Sequence, residues 1–304
     1  MADNSLTQGL LARRNFLRAL GVGGIGAAMA LAGAQEPRTD LKEPVFRVSK
    51  ANPEQPGPAA VAEAHPLDPA IKLAHDTLTM IQRDLVDYTA IIVKRERVNG
   101  KIGVHEFMEA KIRNRKIVDG KQVTPLSVYM KFVKPEATLG REVIWVEGKN
   151  GNKMRAHEGG TAGKFLPTVW LDPHGMLAMR GQLHPITDIG LENLVLKLIE
   201  RGEKERKFPE CEVEFKPGAK INGRSCTVLQ VKHPIQRPHF EFNIAQIFID
   251  DENKMPVRYA AYHWPTDPAE KLGPVLEEYT YLDLKLNPGL VDADFDPENP
   301  NYNF

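Results

Sequence analysis

Cysteine is scarce in this chain of 304 residues, with Cys211 and Cys226 alone. A disulfide-dense scaffold or a four-cysteine zinc module is therefore excluded. Net charge is absent as well: 40 Lys and Arg stand against 40 Asp and Glu. The first 34 residues hold three of the arginines and one aspartate, so the remainder carries 37 basic and 39 acidic side chains. That balance leaves no electrostatic footprint for nucleic acid. Beyond residue 34 no stretch stays apolar for the roughly 20 residues a membrane-spanning helix needs. The chain also lacks His-Glu-x-x-His, Gly-x-Ser-x-Gly, a Walker loop and a dinucleotide glycine fingerprint. The common signatures of metalloproteases, serine hydrolases, nucleotide hydrolases and dehydrogenases are thus missing. No cofactor and no enzymatic activity are expected.

What the chain does have begins at its N-terminus. Arg13 and Arg14 are followed by Asn15, Phe16, Leu17 and Arg18, then by a Gly/Ala-rich apolar run from Ala19 to Leu31 and by Ala32-Gly33-Ala34. A basic region, a short apolar core and a small-x-small end (Ala32, Ala34) make residues 1–34 a signal peptide. The pair Arg13-Arg14 with Phe16 and Leu17 resembles a twin-arginine export signal, which implies the twin-arginine machinery as a partner and a periplasmic or envelope location. Residues 35–66 contain six prolines and no sustained periodicity, and read as an extended linker. One domain is expected over 67–304.

That domain opens with a helix over 69–86. Asp68 is a candidate N-cap and Pro69 fits the first helical position. Ile71, Ala74, Leu78, Ile81 and Leu85 recur at spacings of three and four on one face. From Tyr88 the period becomes two. Asn99-Gly100, Asn150-Gly151 and Asn222-Gly223 each lie between alternating segments, the sequence signal of hairpins whose turns need positive φ. Further strands are expected at 165–171, 240–249, 255–263 and 275–286. A second helix interrupts them, with Leu191, Leu194, Val195, Leu198 and Ile199 as its apolar stripe and Thr187 or Asp188 as its cap. The fold class is α+β: one large curled antiparallel sheet of about ten strands, an unclosed β-barrel, with two amphipathic helices on its concave face. The tail from Asn287 is expected to run over the surface.

Two cysteines in an exported chain suggest one disulfide. A two-residue turn at Asn222-Gly223 places Cys226 opposite Ala219, however, several residues from Cys211. A Cys211–Cys226 bond therefore requires the Lys216-Pro217-Gly218 segment to bulge; two unbridged buried thiols are the other reading.

The stretches "VYMKFVKPEATLGREVIWVEGKNGNKMRAHEGG", "LDPHGMLAM…HPITDIGLENLV" and "YLDLKLNPGLVDADFDPENPNYNF" resemble an exported bacterial family of unknown function. The order of signal, helix, hairpins, helix and hairpins is also similar to the periplasmic lipoprotein carriers and localisation factors. That second resemblance implies an unclosed barrel plugged by helices and, by association only, a lipid or lipidated protein as partner.

The candidate chemistry is sparse. His233 and His239 flank Pro-Ile-Gln-Arg-Pro, with His263 as a conceivable third metal ligand, yet no ligand spacing matches a recognised pattern and loop histidines are the simpler reading. His174 and His184 with Asp188 form an acid/base candidate, against which Asp-Pro-His-Gly reads as a turn and Asp188 as a cap. Glu142, Glu147, Glu158, Arg141 and Arg155 around the second hairpin read as a solvated face, with Arg141 alternatively buried and paired. The apolar residues say more. Met130 and Phe132 share one face of their strand, Trp145 alternates similarly with Val143 along the next, and Phe165, Trp170, Met176 and Met179 crowd a Pro/Gly-punctuated segment. Methionines and aromatics in such a setting suit an adaptable binding surface; burial of the same residues as ordinary core is the competing reading. The expected function is the binding or carriage of an apolar or amphipathic ligand between sheet and helices, with Trp170–Met179 as a lid. The alternatives are a ligand-free interaction module of the envelope and a metal-dependent hydrolase.

Overall fold

The computed structural model describes residues 41–48, 65–163, 165–267 and 269–304. The signal residues Arg13, Arg14, Phe16, Leu17, Ala32 and Ala34, and most of the linker, lie outside the described residues.

The strands are β1 (Phe46–Arg47), β2 (Asp87–Val98), β3 (Lys101–Ile102), β4 (Glu106–Arg113), β5 (Lys116–Val118), β6 (Lys121–Thr124), β7 (Ser127–Lys134), β8 (Glu142–Val146), β9 (Met154–His157), β10 (Val169–Leu171), β11 (Glu212–Ile221), β12 (Arg224–Lys232), β13 (Ile244–Asp250), β14 (Pro256–Tyr262) and β15 (Val275–Leu286). The helices are α1 (Asp68–Asp84), the single turn α2 (Gly160–Gly163) and α3 (Leu191–Glu205). Thirteen strands form one sheet in the order β1-β11-β12-β13-β14-β15-β2-β4-β7-β8-β9-β10, with β3 hanging off β2. Its two end strands do not pair with one another, so the barrel is unclosed. The fold is α+β, with α1 and α3 packed on one face of the sheet.

Positive φ appears where the hairpin signals require it: 50° at Asn99 and 77° at Gly100, 47° at Asn222 and 84° at Gly223. The Asn150-Gly151 turn is longer, a 3-10 turn over Asn150–Asn152. The strand count exceeds ten because β1, β3 and β10 hold only two or three residues, too few to show a period. The hairpin β5–β6 forms a separate two-stranded sheet. It turns at Asp119-Gly120, both at positive φ, another dipeptide of hairpin type. The strand expected at 165–171 is confined to Val169–Leu171, beginning only after Pro167, which has no N–H to give a ladder.

Both helix caps differ from expectation. Leu67 occupies the N-cap of α1, while the Asp68 carboxylate accepts the His65 N–H at 3.0 Å and Arg206 Nε at 2.6 Å. At α3, Gly190 is the cap at φ 124°, where a Cβ would stand 3.4 Å from the Tyr88 hydroxyl. That hydroxyl accepts the Leu191 N–H at 2.8 Å, so the sheet itself caps the helix. Asp188 instead pairs with Lys197 Nζ at 2.6 Å.

Register fixes which side chains share a face. On the helix side, Tyr281, Ile92, Met108 and Phe132 form one row across β15, β2, β4 and β7. With Trp145, Leu191, Val195 and Ile81 they belong to the main core. On the outer side, Val228, Phe248, Arg258, Thr280, Val93 and Phe107 form a continuous row. Leu41 and Phe46 pack against it. The tail does not merely cross the surface. Phe295 is buried with Tyr129, Ile144 and Val146, Tyr302 stacks on Tyr129 at 4.0 Å, and Asp87 accepts the N–H groups of Gly289 and Leu290.

The cysteines are corrected by the same register. Cys226 pairs with Ala219, and the bulge between Lys216 and Ala219 is present. Cys211 lies before Glu212, which faces Lys232 at the far end of β12. Both thiols are free, Cys226 in the outer core and Cys211 against the helix-side one. Nor is Glu142 solvated. It is fully buried and accepts the side-chain amide of Asn303 at 2.7 Å, with Lys131 Nζ at 3.4 Å. Arg141 pairs with Glu158 at 2.7 Å and is partly exposed.

Candidate functional site: two cavities between sheet and helices

The helix face of the sheet is not filled uniformly. It leaves two cavities, one between α1, α3 and β12–β14, the other between α3 and strands β2, β4, β7, β14 and β15.

The inner cavity measures about 70 Å3 and lies between α1, α3 and strands β12–β14. Its walls are almost wholly apolar, among them Ile71, Ala74, Val195, Leu198, Leu229 and Ile247. Gly202 is what lets the two helices approach there, since a Cβ on it would come within 3.0 Å of Ile71 Cγ1. Two charged side chains enter the wall, Arg201 and Glu205. Arg201 donates to the Tyr259 hydroxyl at 2.8 Å and to Glu241 at 2.6 Å. Glu205 is buried, and burial pushes its carboxyl up to about 7.

The outer cavity, about 110 Å3, adjoins the inner one across Leu198, Arg201 and Tyr259, which line both. Its floor is apolar, with Ile92, Met108, Met130 and Tyr281 from the sheet and Leu194 from α3. Its rim is charged. Lys94 Nζ donates to Gln182 at 2.9 Å and lies 3.5 Å from Glu96 and 3.3 Å from Glu106. The Tyr279 hydroxyl donates to Glu96 at 2.6 Å, and His184 Nε2 meets Glu277 at 2.8 Å. Burial alone would raise Glu277, but the hydrogen bond and charge of His184, with Arg201, hold it below the usual carboxylate range. Burial, reinforced by Glu277 and Glu96, pushes the Tyr279 hydroxyl upward. Each of these groups has a partner. The network clamps the Gln182–Asp188 segment onto the sheet and gives the mouth mixed sign.

Of the residues singled out by sequence, Met130 lines the outer cavity, and Phe132 and Trp145 belong to the core on the same face. Phe165 and Met176 are 86 % and 87 % exposed. Trp170 sits on the edge strand under the Arg155 guanidinium, and Met179 is half-buried. None of these four lines either of the two cavities, and Gln182–Gly190 borders the mouth of the outer one.

Of the histidine candidates, His233 and His239 both pack on Phe240. His233 stacks on Phe240 at 3.8 Å, His239 on Phe208 at 3.7 Å, and His263 lies edge-on to Trp264. Among the described residues no group of three His, Cys, Asp or Glu could hold a metal ion. His174 and Asp172 form a turn, in which Asp172 accepts the His174 N–H at 3.0 Å. His184 stands 4.0 Å from Asp188 but is engaged by Glu277.

Sequence reading missed Arg201, Glu205 and Tyr259. A signal was present: Leu191, Leu194, Leu198, Arg201 and Glu205 follow one another at spacings of three and four, which places two charges on the apolar stripe.

Several solved structures are similar to the chain at low identity. A putative outer membrane lipoprotein-sorting protein domain from Vibrio parahaemolyticus is 12% identical, with a TM-score of 0.36, covering 74% of this chain and 95% of its own. The MucA/MucB complex of Pseudomonas aeruginosa gives 13% identity and a TM-score of 0.42, over 75% of this chain and 60% of that one. A DUF1329 family protein from Desulfovibrio piger gives 12% and 0.36, over 77% and 98%. With scores below 0.5, what those proteins sort or bind is a statement about them alone. No curated protein matches the chain. Residues 85–304 match the profile of the DUF1571 family, described as a protein of unknown function, and the chain belongs to that family.

Proposed function

We propose that this protein is a non-enzymatic binding protein of the bacterial envelope, exported by the twin-arginine route, that takes an apolar or amphipathic ligand between its sheet and its helices. The observation that carries the reading is the pair of adjoining cavities with apolar walls at the α3–sheet interface. Ligand surface removed from water there would contribute roughly 25 cal/mol per Å². Each cavity is smaller than the roughly 150 Å3 apolar cavity that accepts benzene. Either cavity therefore accommodates a few methylenes at rest, and a longer acyl chain requires α3 to move away from the sheet.

Native mass spectrometry after gentle purification, with titration of a fluorescent fatty acid, tests the reading. A co-purifying apolar ligand or saturable probe binding is expected, and Leu198→Trp, which fills the space both cavities share, should abolish it. Protein that is always empty and binds no probe would overturn the proposal. One observation favours a second reading, an interaction module: Phe165, Met176 and Leu177 are well exposed, and Leu177 remains 69 % accessible. A pull-down that captures a partner only when these three residues are intact would support it.

A further inference from the structure

We propose that Glu205 makes the inner cavity selective for ligands whose apolar chain ends in a hydrogen-bond donor, an alcohol or a primary amine, and that it rejects carboxylates. The inference rests on the apolar-ligand reading above and names the class of ligand.

Glu205 is 7 % exposed and lines a cavity whose other polar side chains are Arg201, Thr77 and Tyr259. Among the described residues its carboxyl makes no hydrogen bond shorter than its approach to His233 Nε2, at 3.5 Å. That is too long for a well-formed hydrogen bond. The histidine cannot improve on it. Its Nδ1 stands 3.2 Å from the Phe242 carbonyl, which can only accept, so Nδ1 carries the ring proton. In the neutral ring Nε2 is then an acceptor, and it has no partner. Burial holds His233 neutral, down to about 4. Arg201, the cation in the same wall, is already committed to Tyr259 and Glu241.

In its ionised form the Glu205 carboxylate therefore stands in the wall of a mostly apolar space with no hydrogen-bond donor on it. An unmet buried acceptor costs free energy until a donor arrives. A ligand hydroxyl supplies one donor, and an ammonium supplies three and a charge. A ligand carboxylate supplies none and adds a second negative group beside Glu205. The groups around Glu205 are Arg201 on its own helix, His233 after β12, Tyr259 on β14, Glu241 before β13 and Cys211 before β11. Arg201 is the only cation among them and keeps the same charge across neutral pH. Binding of an ammonium thus draws its pH dependence from ionisation of Glu205.

Ligand-detected NMR titration of the intact protein with four probes of one chain length tests this. The probes are 1-chlorobutane, 1-butanol, 1-butylamine and butyrate. Butanol and butylamine should bind about 10-fold more tightly than butyrate, the worth of one charge-assisted hydrogen bond. Butylamine alone should tighten, about 10-fold, between pH of about 6 and about 8. Glu205→Gln should abolish that tightening while leaving 1-chlorobutane bound. Equal binding of butanol and butyrate with chlorobutane still bound would overturn the selectivity and leave the apolar-ligand reading intact. Failure of all four, chlorobutane included, would overturn both. The wild-type ratios decide the matter even if the variant does not fold.

Discussion

Two buried charges, one on each face of the sheet, are handled in opposite ways. On the outer face Arg258 is 2 % exposed in the middle of the Val228–Phe107 row. Its terminal nitrogens donate to Thr280 Oγ1 at 2.8 Å and to Glu278, and only Nε lacks an acceptor. Phe46 lies over the guanidinium at 4.2 Å, and Glu278 continues through His105 at 2.9 Å to Glu43 at 3.0 Å. The charge is led back to the surface through a chain of side-chain contacts, and Phe46 of β1 packs on it. On the inner face Glu205 has almost the same burial and no counter-ion at hydrogen-bond distance. The first group is tied into a network, whereas the second lines a cavity with no donor on it.

The largest expected effect comes from breaking the network. Arg258→Met strands Glu278 in the interior and should lower stability by about 3–5 kcal/mol in urea unfolding; a loss below about 1 kcal/mol would erase the contrast. Next comes the pH response of the second group. Glu205 is raised in the folded state, so its favourable contribution is complete below about pH 4.5 and is lost as pH rises through about 7. Glu205→Gln should therefore gain about 3 kcal/mol relative to wild type between acid and pH of about 8. His233 is lowered, so it loses stability in the other direction, as pH falls from about 6.5 towards 4. The two slopes oppose each other in the wild type. His233→Gln should expose the Glu205 slope alone, read by thermal unfolding across the same range. Smaller again is Gly202→Ala: the 3.0 Å approach to Ile71 should outweigh the gain in helix propensity and cost about 1 kcal/mol while shrinking the inner cavity. Smallest is Phe165→Ser with Met176→Ser, where exposure predicts a change within about 0.5 kcal/mol.

Much of the scaffold was legible. The strand Val275–Leu286 and the Ala219–Cys226 pairing follow from alternation and from Asn222-Gly223, and both amphipathic helices follow from a 3.6 period. These are local properties, carried by neighbours in sequence. The caps were not legible, because Tyr88 reaches Gly190–Leu191 across 103 positions. Nor were the short strands, which exist only because a longer partner offers its edge. Among the apolar residues singled out by sequence, Phe165 and Met176 are exposed while Met130 lines the outer cavity; apolar composition does not distinguish an interior from an exposed segment, and strand register does.

By itself, the sequence determined the class of the molecule: an α+β chain with strand and helix faces set by period. Tertiary structure alone decided where those faces fail to meet. A cavity is the difference between two packed surfaces, and neither surface records it. Arg201 and Glu205 read as polar residues on a helix, but the fold turns them towards β12–β14, where one finds partners and the other does not. That difference depends on which groups arrive from distant strands, and so it cannot be written in the helix that carries both.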